Sequence, residues 1–328
     1  MKRIAFILLF GVLLLSACGG KAAIPMPVAT TTATSTPSAT QTPAGDAMPE
    51  LLFEFTNDPD TMKDPYGVAV NSEDHVYVTD AGKSRVLIFD NTGMLLTKWD
   101  AHGSGNGQFN SMGFGGLAID SQDNVFVVDN GNHRIQKFDK DGNFLLQWGS
   151  EGKQDGQFVR AIGIAIDQED NIYLTDDGNP FVQKFDNAGN FLMKWGGFGK
   201  GDGQFSHATG IAVDANGNIY VADYQDKHVQ KFDPTGTFLT AWTVGKDLNV
   251  TGIPEAIAVD ANGNIYVSDY SLGRIQIFDQ DGNVLKAISS ESVVNSLFKR
   301  PTGIAFDNSG KMFVANQSGN SVSVIQLP

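Results

Sequence analysis

The chain is poor in cysteine and in basic side chains. Cys18 is the only cysteine among 328 residues, so the folded part of the chain has no intramolecular disulfide. The 23 lysines and arginines are outnumbered by 37 aspartates and glutamates, which gives a formal net charge of −14. Phosphate backbones repel such a chain, and no basic cluster is larger than Lys299-Arg300. We therefore expect no nucleic-acid partner.

Long apolar runs are also missing, except at the N-terminus. There Lys2-Arg3 precedes an apolar run from Ile4 to Leu15, which is too short for a mature membrane anchor and is typical of a secretion signal. The Leu-Ser-Ala-Cys sequence ending at Cys18 resembles the lipobox of bacterial lipoproteins. We predict that residues 1–18 are a lipoprotein signal peptide and that Cys18 is lipidated. The alternative is an incidental cysteine followed by ordinary signal cleavage.

Charge is absent from Ala22 to Gly45, where threonine, serine, alanine and proline predominate. Such a composition cannot form an apolar core, so residues 19–50 are predicted to be a disordered tether. The lipid and the tether together predict a protein of the bacterial cell envelope. Its folded part would be extracytoplasmic, anchored either to the outer face of the cytoplasmic membrane or to the outer membrane.

The remainder of the chain consists of six copies of one pattern. The small residue that opens each copy recurs every 46 to 49 residues, at Gly67, Gly116, Gly163, Gly210, Ala256 and Gly303. The fourth copy has four short strand-like runs, at 210–213, 218–222, 228–232 and 237–242, and Gly and Asn occupy the turns between them. A repeat of this length with four strands is typical of a propeller blade.

The sequence thus predicts an all-β fold, a six-bladed β-propeller with four antiparallel strands per blade over residues 51–328. The sixth copy ends at its third strand, 321–327, whereas the segment Leu51-Leu52-Phe53-Glu54-Phe55 resembles the fourth strands of other copies. We predict that this N-terminal strand completes the last blade, because an open edge strand favours aggregation. A monomer is expected.

The repeated phrases also resemble the NHL repeat, and the signature of that repeat lies at Asn132-His133-Arg134-Ile135. The resemblance covers nearly all of the predicted propeller. It implies that the connections entering strand one and the loops between strands two and three share one face, which usually carries the ligand site. Members of this family include sensor and adhesion modules and RNA-binding propellers.

Two enzyme types are similar to NHL propellers in fold: the lyase that amidates peptidylglycine and the lyase that linearises a streptogramin. The resemblance to the amidating lyase implies zinc held by three histidines at the channel mouth. The position before each opening residue should face that mouth, and none of the six is a histidine: Tyr66, Gly115, Ile162, Thr209, Glu255 and Thr302. His133 and His207 remain a weaker candidate pair, so we assign no catalytic residue and no metal ligand.

Aspartates end strand two in five copies, and Asn316 replaces the sixth. Because most precede a loop with a matching arginine, we interpret them as caps of loop backbone and partners of an ion pair rather than as a catalytic ring. The five aspartates are Asp80, Asp129, Asp176, Asp223 and Asp269. No cofactor is expected, although an acidic channel could hold one structural calcium ion through backbone carbonyls.

The leading hypothesis is a lipid-anchored binding module whose top face takes a protein, peptide or glycan. Two other hypotheses remain open: a lyase or hydrolase that uses the channel mouth, and a structural envelope or adhesion component. The membrane would be reached through lipidated Cys18. The residues predicted to line the binding face are Tyr66, Phe114, Arg160, His207, Tyr224, Glu255, Tyr270 and Gln317.

Overall fold

A computed structural model describes residues 49–56, 62–289 and 298–328. The chain divides into residues 1–45 and 46–328, and the first part, which includes Cys18 and most of the predicted tether, lies outside the described residues. In the three ranges that the structure describes, twenty-four strands form six four-stranded antiparallel sheets, which confirms the predicted six-bladed propeller. No helix in the described residues combines the length and the apolarity needed to cross a membrane.

The blades follow one another along the chain. Blade one contains β2 (Pro65–Val70), β3 (Val76–Asp80), β4 (Arg85–Phe89) and β5 (Leu95–Trp99), and the strand before them, β1 (Glu50–Phe55), belongs to blade six. Blade two contains β6 (Leu117–Ile119), β7 (Val125–Asp129), β8 (Arg134–Phe138) and β9 (Phe144–Trp148). Blade three contains β10 (Ala161–Ile166), β11 (Ile172–Asp176), β12 (Phe181–Phe185) and β13 (Phe191–Gly196).

The second half of the ring repeats this order. Blade four contains β14 (Ala208–Val213), β15 (Ile219–Asp223), β16 (His228–Phe232) and β17 (Phe238–Thr243). Blade five contains β18 (Pro254–Val259), β19 (Ile265–Asp269), β20 (Arg274–Phe278) and β21 (Val284–Ile288). Blade six contains β22 (Pro301–Phe306), β23 (Lys311–Asn316), β24 (Ser321–Gln326) and β1 (Glu50–Phe55). Single turns of 3-10 helix occur at Ala81–Lys83, Asn130–Asn132 and Lys246–Leu248.

The apolar core lies between the blades. Phe158, from the connection between blades two and three, is fully buried, and its ring centroid is 5.9 Å from that of Phe185. Trp148 at the end of β9 packs on the same ring at 5.7 Å and covers the turn at Gly189 in blade three. A Cβ at Gly189, where φ is +82°, would lie 2.8 Å from the indole, so a side chain there would separate the blades.

The N-terminal strand closes the ring, as the sequence predicts. β1 pairs antiparallel with β24 from Glu50 opposite Gln326 to Phe55 opposite Val322. Phe55 then takes the place that tryptophans occupy at four of the five other blade boundaries: its ring is 4.7 Å from that of Phe89 in blade one. β1 therefore completes the sheet of blade six, and Phe55 adds a buried aromatic contact between blade six and blade one.

Removal of β1 should open the ring. A chain that begins at residue 46 should be a monomer, whereas one that begins at residue 58 loses β1 and leaves β24 as a free edge. The second chain should melt at a lower temperature and self-associate, because loss of the buried Phe55 side chain alone costs about 3–5 kcal/mol. Calorimetry and light scattering measure both effects.

Leu52→Ala in the longer chain is the control, because Leu52 lies on the same strand but is 39% exposed. Equal melting temperatures and equal molecular masses for the two truncated chains would show that β1 does not close the ring.

Candidate functional site

The innermost strands of the six blades surround a narrow channel. Small residues recur on these strands because the neighbouring backbones are in contact: a Cβ at Gly163 would lie 2.2 Å from the carbonyl oxygen of Thr209, and one at Gly210 would lie 2.5 Å from Cα of Ala256. The repeated small residue of the sequence therefore sets how tightly the ring closes. The channel itself has a volume of about 90 Å³ and a mostly aliphatic lining.

A second cavity, of about 200 Å³, lies at the mouth of this channel. All eight residues predicted for the binding face line it, and three further residues complete the lining: Ile162, Asp177 and Thr209. Tyr66, Ile162 and Glu255 line the channel as well, so they form the boundary between the two spaces. We refer to the upper space as the mouth cavity.

Asp177 is the charged residue that the sequence-based prediction missed. It follows the aspartate that ends strand two, as do Tyr224 and Tyr270 in their blades. The register that identifies these two tyrosines would also have identified Asp177. Ile162 and Thr209 occupy the position before the opening residue of their repeats, where the sequence already placed them at the channel mouth.

The buried aspartates at the ends of the second strands hold the connections that carry the site. Asp176 accepts hydrogen bonds from the backbone N–H groups of Val159 and Arg160 at 2.7 and 2.8 Å. Asp223 likewise accepts a bond from the N–H of Ser206 at 2.7 Å, next to His207. The capping interpretation is thus confirmed: these carboxylates orient the segments from which Arg160 and His207 reach the mouth cavity.

The ion-pair part of that interpretation holds in three blades. The Nε atoms of Arg85, Arg134 and Arg274 lie 2.7, 2.8 and 3.4 Å from Asp80, Asp129 and Asp269 respectively. Each of these carboxylates is fully buried and is already committed to protein partners. These three carboxylates hold the loops around the mouth cavity in place and are not directed at a ligand.

Glu255 and Tyr66 form the floor of the mouth cavity. The Tyr66 hydroxyl donates a 2.6 Å hydrogen bond to Oε1 of Glu255, and the two side chains are 5% and 6% exposed. Tyr66 comes from blade one and Glu255 from blade five, so this bond crosses the ring between blades that are not adjacent. Burial raises the pKa of Glu255 to about 7, although the bond from Tyr66 partly opposes the shift.

Aromatic rings form the walls above this floor. The Tyr66 ring contacts Phe114 with centroids 5.6 Å apart, and Tyr224 meets Tyr270 edge to face at 6.4 Å. Phe114 is 45% exposed. The Tyr270 hydroxyl donates a 2.9 Å hydrogen bond to Oε1 of Gln317, which fixes the direction of that ring.

A charged cluster occupies the opposite wall. Asp177 forms an ion pair with Arg160, and the Nδ1 atom of His207 lies 2.8 Å from its Oδ1. The carboxylate therefore has a cationic partner and an imidazole, both of which are half-exposed at the rim. This arrangement neutralises Asp177 locally.

The zinc arrangement implied by the amidating lyase does not fit these residues. His207 lines the mouth cavity, but His133 does not, and its Nδ1 lies 3.1 Å from the carbonyl oxygen of Val159. Within the described ranges, no three side chains of histidine, cysteine, aspartate or glutamate are grouped so that they could hold a metal ion.

The raised pKa of Glu255 predicts a pH-dependent stability. Below about pH 4.5 the carboxyl is protonated in both the folded and the unfolded chain, and burial then carries no charge penalty. Between about pH 4.5 and 7 the folded chain retains a proton that the unfolded chain releases, so stability falls as the pH rises. Above pH 7 the full penalty, roughly 3 kcal/mol, is present.

Glu255→Gln keeps an acceptor for Tyr66 but removes the charge. It should therefore stabilise the protein at pH 8 and have little effect at pH 4.5, as measured by urea unfolding. The matched control is Glu169→Gln, because Glu169 is exposed in the turn between β10 and β11. A Glu255→Gln effect that is the same at both pH values would contradict the raised pKa.

Comparisons with known proteins agree with this architecture. Residues 63–89, 115–138, 205–232 and 251–278 match the NHL repeat, and these segments lie in blades one, two, four and five. No curated protein sequence matches the chain significantly. Among solved structures, a streptogramin B lyase is similar with a TM-score of 0.61 and 14% identity over 84% of this chain and 97% of that one.

Two further solved structures are similar in fold. A catalytically inactive virginiamycin B lyase from Staphylococcus aureus with quinupristin has a TM-score of 0.61 and 13% identity, covering 84% of this chain and 99% of that one. A gluconolactonase from Xanthomonas campestris has a TM-score of 0.59 and 17% identity, covering 81% and 88%. At these identities the likeness concerns the fold alone. With its four matched repeats and its ring of six blades, the chain is an NHL-repeat β-propeller.

Proposed function

We propose that the protein is a lipid-anchored, extracytoplasmic binding module that holds a protein, peptide or glycan ligand at its mouth cavity. The observation that carries this proposal is the convergence of side chains from all six blades on one concave site. A concave site with apolar walls and a few directed polar groups is the usual form of a ligand site. The small volume favours one side chain or one sugar unit of a larger ligand.

The partly exposed aromatic rings support binding over a purely structural role. Phe114 and Tyr270 present ring surface at the rim, while the polar atoms below them belong to Glu255 and Gln317. Exposed aromatic surface beside buried polar groups is typical of hot spots in binding sites. A structural envelope component would need no such site.

Anchoring by lipid is the second part of the proposal, and it depends on the Leu-Ser-Ala-Cys sequence at residues 15–18. About thirty residues separate Cys18 from β1. A flexible chain of that length has a root-mean-square reach of about 30 Å, so the mouth cavity could meet ligands away from the membrane surface.

A lyase or hydrolase is the second candidate function, and Glu255 is the observation that favours it. A carboxyl group with a pKa of about 7 is suited to act as a general base at neutral pH. Mass spectrometry of bound ligands separates the two functions. A ligand that is altered by the wild-type protein but not by Glu255→Gln would establish catalysis.

Binding at the mouth cavity predicts a selective effect of the aromatic residues. Arrays of peptides and glycans probed with the purified protein should give ligands whose affinity falls at least tenfold in Phe114→Ala and in Tyr270→Ala, because each change removes contact surface from the rim. Leu145→Ala is the matched control, since Leu145 is 47% exposed on the outer strand β9. Ligands that bind all three variants equally well would place the binding surface elsewhere.

Lipidation of Cys18 predicts that a variant without this cysteine is not labelled by a fatty-acid probe. Cys18→Ser should not incorporate a fatty-acid probe during growth and should be released from the membrane fraction, because the acceptor thiol is missing. Ser16→Ala retains the cysteine and should be labelled like the wild type. Labelling of Cys18→Ser to the wild-type level would contradict the lipoprotein assignment.

A further inference from the structure

Glu255 is a buried acid without a cationic partner. Its Oε1 atom accepts the hydrogen bond from Tyr66, and among the described residues no group donates a hydrogen bond to Oε2 and no lysine, arginine or histidine forms an ion pair with it. A carboxylate that is 6% exposed is costly unless a positive charge or several donors compensate it. The side chain faces the mouth cavity, so a bound ligand can supply the missing charge.

The other carboxylate of the mouth cavity is in the opposite state. Asp177 is compensated by Arg160 and lies beside His207, so it offers little net attraction for a further cation. Negative charge without compensation is therefore concentrated at the floor. The excess of acidic over basic residues in the whole chain adds a long-range attraction of the same sign.

The walls around Glu255 suit a cation as well. Tyr66, Phe114, Tyr224 and Tyr270 provide four aromatic rings that line one space, and their paired rings are inclined to each other by about 60°. The face of an aromatic ring attracts an ammonium or guanidinium group through its quadrupole. Tyr270 already shows this behaviour, because the guanidinium carbon of Arg300 lies 5.2 Å from its centroid.

From these observations we infer that the mouth cavity binds an ammonium or alkylammonium group, with the charge directed at Glu255 and the carbon atoms held between the aromatic rings. The inference rests on the proposed function and specifies the chemistry of its ligand. A volume of about 200 Å³ accommodates one such group with its first few carbon atoms, but not an extended chain. The group could belong to a lysine side chain of a peptide or to a small free amine.

Two pairs of probes distinguish the contribution of the ligand's charge to binding from the contribution of its shape. The first pair is butylammonium chloride and 1-butanol, and the second is the peptide acetyl-Gly-Lys-Gly-amide and its norleucine analogue. Ligand-observed NMR with the purified protein should show binding of the charged member of each pair with a Kd of about 1 mM or below, and at least tenfold weaker binding of the neutral member. Binding of butylammonium alone or of the lysine peptide alone would support the inference and identify the source of the group.

Glu255→Gln tests the role of the carboxylate without removing the acceptor for Tyr66. It should weaken binding of the charged probes at least tenfold, while Glu169→Gln, with the same change of net charge at an exposed site, should leave it unchanged. Circular dichroism at pH 8 and at pH 6 shows whether Glu255→Gln is folded.

The ionised form of Glu255 is the one that attracts a cation, so affinity for the charged probes should fall as the pH is lowered from 8 to 6. The groups around the cavity are Tyr66 from blade one, Arg160 and Asp177 from blade three, His207 and Tyr224 from blade four, Tyr270 from blade five, and Arg300 before β22. Histidine also changes charge in this range, so His207→Gln is included. The pH dependence should persist in His207→Gln and vanish in Glu255→Gln.

Equal binding of the charged and neutral probes, or binding of neither, would overturn the inference. So would a Glu255→Gln protein that is folded and binds the charged probes as tightly as the wild type does. In each of these cases the proposed binding function would still stand if the arrays yield ligands sensitive to Phe114→Ala. The failure of this inference is therefore distinguishable from the failure of the proposed function.

Discussion

The pairing of β1 with β24 is the contact on which the rest of the ring depends. It joins segments 267 to 276 residues apart, and it places Phe55 against Phe89 in the first blade. Once this boundary is closed, the inner strands of all six blades approach one another closely enough that only small residues fit at the repeated position. The radius of the channel follows from that approach, and the mouth cavity lies above it.

In each blade, repeated residues hold the loops in place, and residues that vary between blades line the mouth cavity. Buried aspartates at the ends of the second strands bind the backbone of the connections in blade after blade. The positions that follow the ends of these strands vary between blades: a carboxylate at Asp177, phenols at Tyr224 and Tyr270, and an amide at Gln317. The side chains of these positions that line the mouth cavity therefore interrupt the repeat, because the repeated aspartates are occupied in holding the loops.

The charge distribution of the mouth cavity depends on how its two acids are surrounded. Asp177 has Arg160 and His207 near its carboxylate, whereas Glu255 has a neutral phenol and a desolvating environment. Burial accordingly raises the pKa of Glu255 to about 7. The uncompensated carboxyl group, that of Glu255, therefore lies at the floor of the mouth cavity, and the compensated one, that of Asp177, lies near the rim.

The sequence by itself determined the six-bladed all-β fold, the closing strand, and eight of the eleven residues that line the mouth cavity, because a fixed period assigns each residue to a strand, a turn or a face. It left out Asp177, although Asp177 has the same place in its repeat as Tyr224 and Tyr270 have in theirs. Tertiary structure alone decided that Tyr66 reaches Glu255 across the ring, 189 residues away. No local pattern specifies that contact or the raised pKa of Glu255. Both depend on which side chains the closed ring brings together and on how much water it excludes around them.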